Sequence, residues 1–400
     1  MGKLSTLLVL LCIGILWVVK CDVWPAPHKK TEEAIKNPYV RGFVQDYVAF
    51  VEAEMRRTQM PGAAVVIVKD SSILFLKGFG VKEIHGRDSV DAHTLFRVGS
   101  LSKGFAGILT AMLEREGVLR LEDPVVKYLP DFQLRSPEQS RRITLRHLLS
   151  HSTGLPYHTY TNLIEAGEDI PRIAARFKEV RLVGREGEVF SYQNAAFSVI
   201  EEVIRTASGQ AYVEVLQKKI FEKTGMRDAS ATYSGMMGSR NKAYPHEGFD
   251  SAWVRTDITR RYYNSAAAGG VNASISDMGQ WLLVLLGNRP DIAPEETLDN
   301  AFTPLIKTHN ERRFFSAWTG EKEASYGLGW RILKTPVDTI LYHGGYVNSY
   351  KGEIALHRGA RIGVCVLMNG AGSMSERLVP EFFDIYRAYA DSIQAWKPKY

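Results

Sequence analysis

The stretch Thr94-Leu-Phe-Arg-Val-Gly-Ser100-Leu-Ser-Lys103-Gly-Phe-Ala-Gly-Ile-Leu-Thr-Ala-Met-Leu113 is the most informative in the chain. A short run of strand-forming residues leads to a Gly-Ser step, after which apolar residues recur at helical spacing. This pattern places Ser100 at the start of a helix, where unpaired backbone N–H groups and the helix dipole favour developing negative charge. Lys103 follows within one helical turn, so its amine is expected on the same face as the Ser100 hydroxyl.

This spacing suits nucleophilic catalysis. A serine hydroxyl is a weak nucleophile without an adjacent base, and a lysine whose pKa is lowered by burial can be that base. Ser-x-x-Lys is not specific by itself, however, because Ser239-Arg-Asn-Lys242 repeats it in a stretch that we predict to be a loop. Taken alone, the motif is better explained by a helix N-cap at Ser100 followed by a surface lysine.

The composition excludes some classes of function. The chain has 400 residues, 45% of them hydrophobic and 24% charged, as in a globular protein with a sizeable core. The net charge of +6 is spread along the chain in short runs, so no nucleic-acid partner is expected. The length allows two domains or one elaborated domain.

The N-terminus has the character of a targeting segment. A basic start, Met1-Gly-Lys3, is followed by an apolar run over residues 4–19 and then by Lys20-Cys21-Asp22. We predict a secretory signal peptide or signal anchor over residues 1–21 and a linker over residues 22–39. The protein is therefore expected to be exported, periplasmic or extracytoplasmic, with membrane contact through this segment alone. Because only Cys365 falls in the folded part, no internal disulfide is expected.

Strand patterns occur at both ends of the chain and helix patterns between them. Strands are predicted over 63–70, 73–80, 326–333, 339–343, 350–357 and 362–369, and helices over 41–57, 195–207, 212–221, 275–286 and 375–396. These patterns indicate an α+β fold with one antiparallel sheet flanked by N- and C-terminal helices. We assign 40–129 and 321–400 to a sheet domain and 130–320 to an inserted, mainly helical domain, with the site in the cleft between them.

Two other stretches carry polar residues that packing does not require. In Phe190-Ser-Tyr192-Gln-Asn194, an extended backbone would point Tyr192 and Asn194 the same way, and a phenol near an ammonium can act as a base. The alternative is a core tyrosine beside an asparagine helix cap. Tyr342-His343-Gly344-Gly345 ends an apolar strand, where glycines allow close approach of a ligand and strand N–H groups can help form an oxyanion hole. The alternative there is a hairpin turn.

Other patterns favour structural roles. His147 and His151 have the spacing of a two-histidine metal face, but no third ligand is evident, so we expect capping and packing roles. Asp277 in Ser276-Asp277-Met278 is expected to cap a helix. No Gly-x-Ser-x-Gly motif occurs, which argues against an α/β-hydrolase. No metal and no cofactor are predicted.

Taken in order, Ser-x-x-Lys, Tyr-x-Asn and His-Gly-Gly resemble the penicillin-recognising serine hydrolases, specifically the class C β-lactamase-like family. That family includes D-alanyl-D-alanine carboxypeptidases and family VIII carboxylesterases. The resemblance covers roughly residues 40–390. It extends to Phe96-Arg-Val-Gly-Ser-Leu-Ser-Lys, Leu121-Glu-Asp-Pro-Val, Ile143-Thr-Leu-Arg-His-Leu-Leu-Ser-His-Ser-Thr-Gly-Leu-Pro, Ala268-Gly-Gly-Val and Tyr326-Gly-Leu-Gly-Trp. It implies the β-lactamase/transpeptidase-like fold.

The resemblance also implies roles for the residues that match. Ser100 would be the nucleophile, Lys103 and Tyr192 would share the acid and base work, and Asn194 would bind Lys103 or the substrate amide. His343-Gly344-Gly345 would occupy the place of the family's Lys-Thr-Gly and bind substrate. The oxyanion would be held by the N–H of Ser100 and by that of Tyr346 or Val347.

The chain departs from the family pattern at two of these positions. His343 replaces a permanently charged lysine, and Gly344 replaces a hydroxyl that helps to bind the substrate carboxylate. Because histidine is largely neutral at pH 7, efficient hydrolysis of penicillins is less favoured. Esters and D-amino-acid peptides or amides stay open as substrates.

We therefore predict an exported serine hydrolase that cleaves a cyclic or linear amide of the β-lactam type through an acyl-Ser100 intermediate. A carboxylesterase or a D-alanyl-D-alanine carboxypeptidase using the same site is the alternative. The non-enzymatic alternative is a catalytically silent cell-wall-binding protein. The expected partner is a small molecule or peptidoglycan fragment, and the chain is expected to be a monomer.

Overall fold

The computed structural model describes residues 36–250, 252–309, 315–320 and 322–397. The predicted signal segment, residues 1–21, and most of the predicted linker lie outside these ranges. Within the ranges, no helix combines the length and the apolar character needed to cross a membrane.

An antiparallel sheet of eight strands forms the centre of the fold, in the order β2-β1-β12-β11-β10-β9-β8-β7. The strands of the described residues are β1 Gly62–Lys69, β2 Ser72–Gly80, β3 Phe96–Arg97, β4 His246–Glu247, β5 Val254–Arg255, β6 Asn272–Ala273, β7 Ile306–Lys307, β8 Glu323–Tyr326, β9 Arg331–Lys334, β10 Thr339–Val347, β11 Tyr350–His357 and β12 Ile362–Met368. β3 pairs with β6, and β4 pairs with β5, outside the main sheet. Strands from both ends of the chain share this sheet, as the sequence predicted.

Helices cover both faces of the sheet. The α-helices of the described residues are Pro38–Thr58, Ser102–Arg115, Pro137–Arg142, Leu145–Leu149, Thr161–Glu165, Ile170–Ala175, Asn194–Ser208, Tyr212–Leu216, Glu222–Thr224, Tyr233–Gly238, Ala266–Gly269, Ile275–Leu285, Glu295–Phe302 and Leu378–Ala395. β1 and β12 are apolar along almost their whole length because both of their faces are buried.

The first and last helices pack together on one face. The Phe382 ring lies edge-on to Phe43 and Tyr47, with centroids 5.3 and 5.0 Å apart. On the other face, Phe105 of the helix Ser102–Arg115 stacks on Trp281, with centroids 4.4 Å apart. The predicted flanking helices are thus confirmed. The helix that begins just after Ser100 packs, through Phe105, against the helix Ile275–Leu285.

Asp277 caps a helix, as expected from the sequence. Its carboxylate accepts a hydrogen bond from the backbone N–H of Ser274, whose hydroxyl accepts one from the backbone N–H of Asp277. This reciprocal pair satisfies two N–H groups that a helix start otherwise leaves unpaired. Burial raises the pKa of the Asp277 carboxyl to about 7.

The prediction of a single strand over residues 326–333 is wrong. β8 ends at Tyr326 and β9 begins at Arg331, with a tight turn between them. Gly329 has φ +74°, which favours glycine, and a Cβ there would lie 2.2 Å from the carbonyl oxygen of Lys103. The turn is therefore pressed against the first turn of the helix that carries Lys103.

The prediction that β10 ends at His343-Gly344-Gly345 is also wrong, and so is the hairpin-turn alternative. β10 continues to Val347, and Gly345 pairs with Gly352 of β11. The reversal comes at Asn348 and Ser349, whose φ values of 47° and 63° are those of a two-residue hairpin turn. The two glycines thus lie inside a strand, where the lack of a side chain lets another backbone approach.

The boundary of the inserted segment stays a prediction. β7 belongs to the central sheet although it falls within residues 130–320, which the sequence assigned to the helical domain. The same segment also contains the helix Tyr233–Gly238 and the short β4–β5 hairpin.

Candidate active site

Ser100 lies in a single 3-10 turn, Gly99–Leu101, which leads directly into the helix Ser102–Arg115. The Ser102 hydroxyl secures this junction, because it donates to the Gly99 carbonyl at 2.7 Å and accepts from the Val271 N–H at 3.1 Å. Gly99 has φ +55°. The expected helix start is thus correct to within two residues.

Lys103 is completely buried, with 0% of its surface exposed. Its Nζ lies 3.3 Å from Ser100 Oγ, 2.8 Å from Asn194 Oδ1 and 2.8 Å from the Ala268 carbonyl oxygen. Burial holds the pKa of the Lys103 amine well below its usual range, and the charge of Arg331 lowers it further. Burial and the neighbouring guanidinium therefore both favour the neutral form of the Lys103 amine.

The contacts of Lys103 determine where its lone pair points. A neutral amine has two N–H groups, while Asn194 Oδ1 and the Ala268 carbonyl are both acceptors. When Lys103 is protonated, its third N–H donates to Ser100 Oγ; when it is neutral, the lone pair takes that position. The Ser100 hydroxyl can then donate to Nζ, which is the contact a general base needs.

Tyr192 lies directly beside this amine. The side chain is buried, and Lys103 Nζ is 4.8 Å from the ring centroid. The guanidinium carbon of Arg331 is 5.2 Å from the same ring. The Lys103 amine and the Arg331 guanidinium therefore both lie against the Tyr192 ring.

Asn194 is the first residue of the helix Asn194–Ser208, and Gln193 occupies the N-cap position. The Asn194 side chain does not cap the helix. Its Nδ2 donates to the Tyr262 hydroxyl at 3.2 Å, which leaves Oδ1 to accept from Lys103. The alternative that Asn194 is a helix cap is therefore excluded, and its amide orientation is set from both sides.

The loop that carries Tyr262 is held by a buried arginine. Arg97 donates to the carbonyl oxygens of Thr259 and Arg261, and its guanidinium lies 4.3 Å from the Tyr263 ring centroid. These contacts place Tyr262 where its hydroxyl meets Asn194. Arg97, from the stretch of sequence that also carries Ser100, thus helps to position Tyr262 and, through it, Asn194.

His343 is buried and bonded within the protein. Its Nδ1 lies 2.9 Å from the Gly344 carbonyl oxygen, which can only accept, so the proton of the neutral ring belongs on Nδ1. Nε2 then accepts from the Tyr326 hydroxyl at 2.8 Å, with Arg331 Nη1 at 3.4 Å. Burial holds the pKa of His343 well below its usual range, and the charges of Arg331 and Lys103 add to this effect. His343 is therefore neutral.

Two glycines bring the β10 backbone against the candidate nucleophile. A Cβ on Gly345 would lie 2.1 Å from the Val98 carbonyl oxygen and 3.1 Å from the Ser100 nitrogen. A Cβ on Gly99 would lie 2.7 Å from the Tyr346 nitrogen. Between the two strand residues proposed for the oxyanion hole, Tyr346 is thus the one whose nitrogen lies beside the Gly99-Ser100 backbone.

A cavity lies beside two residues of the site, Tyr262 and Tyr346. It has a volume of about 330 Å³ and is also lined by Glu165, Asp257 and Arg261. A space of this size accommodates a small organic substrate.

Sequence reasoning missed Arg331 and did not show which residue His151 packs against. Arg331 is the first residue of β9, and its contact with the Tyr192 ring joins segments that are far apart in sequence. His151 was expected to pack, and it does, but against the Tyr192 ring, with centroids 4.3 Å apart. His147 accepts from the Thr144 N–H at 3.1 Å and caps its helix, as expected. The described residues contain no group of three or more His, Cys, Asp or Glu that could hold a metal ion.

Comparisons with known proteins agree with the fold and with the ordered motifs. Residues 47–384 match the beta-lactamase protein family. The chain is similar to protein flp of Staphylococcus aureus, with 23% identity over 81% of this chain and 62% of that protein. It is also similar to a penicillin-binding protein of Bacillus subtilis, with 26% identity over 76% of this chain and 64% of that one. The matched region thus spans less than two thirds of either relative.

A solved structure shares the architecture. The octameric penicillin-binding protein homologue from Pyrococcus abyssi superposes with a TM-score of 0.73 and 25% identity, covering 87% of this chain and 77% of that one. The β-lactamase/transpeptidase-like fold that the motifs implied is confirmed. Since the family match covers most of the sequence, the chain belongs to the beta-lactamase family, whose members are in general serine hydrolases.

Proposed function

We propose that this protein is an acyl hydrolase that forms a covalent intermediate on Ser100. The observation that carries the proposal is the buried Lys103 amine, 3.3 Å from Ser100 Oγ, with its other two hydrogen-bonding positions directed at acceptors. Burial and the Arg331 charge lower the pKa of this amine, which favours the neutral form that a general base requires. A surface lysine at the same spacing would not have this property.

The acylation step follows from these positions. Ser100 Oγ attacks the substrate carbonyl carbon while its proton passes to Lys103 Nζ. The N–H groups of Ser100 and Tyr346 stabilise the oxyanion that develops. Lys103, with Tyr192 as its neighbour, returns the proton to the leaving amine or alcohol as the carbonyl–heteroatom bond breaks, leaving an ester on Ser100.

Deacylation uses the same groups in reverse order. Water attacks the acyl carbon, its proton passes to the Lys103–Tyr192 pair, and Ser100 is released when it takes a proton back. The products are a carboxylic acid and the regenerated hydroxyl. Asn194 and Ala268 keep the Lys103 amine in place through both steps.

The proposed substrate is an amide of the β-lactam or peptidoglycan-fragment type. Support comes from the family membership and from relatives named as penicillin-binding proteins. A D-alanyl-D-alanine carboxypeptidase would use the same acylation chemistry but release the acyl-enzyme at a different rate.

A carboxylesterase is the second candidate, and the chemistry at positions 343 and 344 favours it. His343 is neutral, buried and already bonded to Tyr326, and Gly344 has no side chain. Neither residue supplies a cation or a hydroxyl for a substrate carboxylate. An uncharged acyl ester does not need these contacts.

Intact mass of the full chain, followed over time with excess benzylpenicillin while the drug is assayed, tests the proposal. A lasting adduct that is absent in Ser100→Ala and present in the matched Ser239→Ala indicates a peptidase-like enzyme. Loss of drug without a lasting adduct indicates a β-lactamase. Hydrolysis of p-nitrophenyl butyrate alone indicates an esterase. Absence of all three refutes the proposal and leaves the catalytically silent cell-wall-binding protein.

We also propose that residues 1–21 export the protein and that it acts as a monomer. The first part is supported by the basic start and the apolar run over residues 4–19. Mass analysis of protein from the secreted and membrane fractions tests it. Light scattering tests the second part; its alternative is an assembly such as the octamer of the Pyrococcus abyssi homologue.

A further inference from the structure

One buried histidine holds the backbone on both sides of Tyr192. His151 follows the helix Leu145–Leu149 and is completely buried, with 0% of its surface exposed. Its carbonyl oxygen accepts from the Ser191 N–H at 2.9 Å, and its Nδ1 accepts from the Gln193 N–H at 3.1 Å. The residue therefore fixes the positions immediately before and after Tyr192.

The imidazole also lies against the Tyr192 ring. The two centroids are 4.3 Å apart, with an angle of 39° between the planes. Phe197, at 5.2 Å, and Tyr326, at 4.9 Å, enclose the imidazole further. A ring packed against several aromatic rings has little freedom to rotate, so it can serve as a fixed support.

The hydrogen bonds indicate that His151 does not itself transfer protons. Nδ1 is an acceptor, so the neutral ring carries its proton on Nε2. Nε2 is buried without a hydrogen-bond partner among the described residues. Burial holds the pKa of His151 well below its usual range, and the Lys103 and Arg331 charges add to the effect. The ring stays neutral and has no relay partner at Nε2.

We propose that His151 is a positioning residue for Tyr192: its carbonyl and Nδ1 clamp the backbone around Tyr192, and its ring holds the phenol against Lys103. This rests on the proposed function of Tyr192 in acid–base work. His151 has φ +58°, a backbone conformation that few non-glycine residues adopt. In this conformation His151 contacts the segment around Tyr192 twice, through its carbonyl oxygen and through its side chain.

A double-mutant cycle tests whether His151 acts through Tyr192. His151→Phe keeps an aromatic ring but removes the acceptor for the Gln193 N–H. We expect it to lower kcat about tenfold to a hundredfold with little change in KM, and to have less than about a twofold effect in a Tyr192→Phe background. If the two losses multiply instead, His151 does not act through Tyr192 and the proposal is wrong.

A conservative variant separates the clamp from general packing. In His151→Asn, Oδ1 takes the place of Nδ1, and asparagine tolerates a positive φ better than most residues. We expect this variant to retain kcat to within about fivefold, well above His151→Phe. The matched control is His147→Asn. His147 caps the helix Leu145–Leu149, which His151 follows, and its replacement should leave kcat unchanged. Equal losses in His151→Asn and His151→Phe would contradict the clamp.

Amide hydrogen exchange makes the test independent of turnover. The Ser191 and Gln193 amides should be protected in the wild type and in His151→Asn. In His151→Phe the Gln193 amide should exchange faster. If the wild type neither acylates Ser100 nor hydrolyses any substrate, the proposed function fails, whereas unchanged exchange at Gln193 in His151→Phe overturns the clamp itself.

Discussion

The two Ser-x-x-Lys segments of this chain have the same spacing and entirely different surroundings. Lys103 is buried, and its amine lies 3.3 Å from Ser100 Oγ. Lys242 is half-buried and donates to the carbonyl oxygens of Met237 and Ser239, at 3.4 and 2.6 Å. The Ser239 hydroxyl is bonded to the backbone of Asn241 rather than to the lysine. The second segment is thus the loop that the sequence predicted.

The difference shows that backbone shape and burial, not spacing, make a lysine into a base. Ser100 is in a helical turn, so a residue three positions later lies on the same face. Ser239 has φ −70° and ψ 133°, an extended conformation that directs successive side chains apart. Asn194 and Ala268, both distant in sequence, accept the two N–H groups of Lys103, whereas Lys242 donates only to carbonyls within five residues of itself.

The largest expected contrast comes from removing each lysine. Lys103→Met should lower the rate of Ser100 acylation about a thousandfold, because the hydroxyl loses its general base. Lys242→Met should leave that rate unchanged. Labelling by benzylpenicillin or turnover of p-nitrophenyl butyrate measures both variants. Comparable losses in the two would show that the buried environment of Lys103 is not what matters.

A second contrast uses a glycine beside each segment. Gly345→Ala would place a methyl group 2.1 Å from the Val98 carbonyl, forcing β10 away from Ser100. We expect about a hundredfold loss of kcat/KM, since small displacements of reacting groups have effects of this size. A Cβ on Gly238 meets nothing within 4 Å, so Gly238→Ala is the matched control and should have no effect. Full activity in Gly345→Ala would remove β10 from the proposed oxyanion hole.

A smaller effect is expected in the pH profile. The Arg331 charge is one cause of the lowered pKa of Lys103, after burial. Because the neutral amine is the base, Arg331→Met should raise the pKa of Lys103 relative to the wild type and move the acidic limb of kcat/KM to higher pH. At pH values below this limb, the kcat/KM of Arg331→Met should be several-fold lower than that of the wild type. Arg331→Lys keeps a positive charge and should move the limb less; a shift to lower pH in Arg331→Met would contradict this assignment.

The smallest effect concerns stability at the second segment. Lys242, in a half-exposed position, makes two hydrogen bonds, to the carbonyls of Met237 at the end of the helix Tyr233–Gly238 and of Ser239. Lys242→Met should reduce the free energy of unfolding by about 1 kcal/mol or less, because hydrogen bonds of this kind add little net stability. Urea unfolding measures the change, with Lys242→Arg as the control that keeps a donor. A loss of several kcal/mol would show that this loop is part of the core.

The local patterns predicted the elements that depend on near neighbours in sequence. The spacing of apolar residues was enough to predict the strands β1 and β12 and both terminal helices. The strands are continuous apolar runs, and the helices have apolar residues at helical spacing, so the buried positions can be recognised in the sequence. The cap at Asp277 was equally accessible, since its partner Ser274 lies within one turn. The turn at Gly329 was missed, because its cause is the approach of the Lys103 carbonyl from a distant part of the chain.

For the site, the sequence by itself determined which reactive groups are present and the helical turn that joins Ser100 to Lys103. Only the tertiary structure decided that Lys103 is buried between Asn194 and Ala268, that Tyr346 lies beside Gly99, and that Arg331 and His151 face Tyr192. The physical reason is that spacing along a helix is a local property, whereas desolvation and the field of neighbouring charges arise where separate segments pack together.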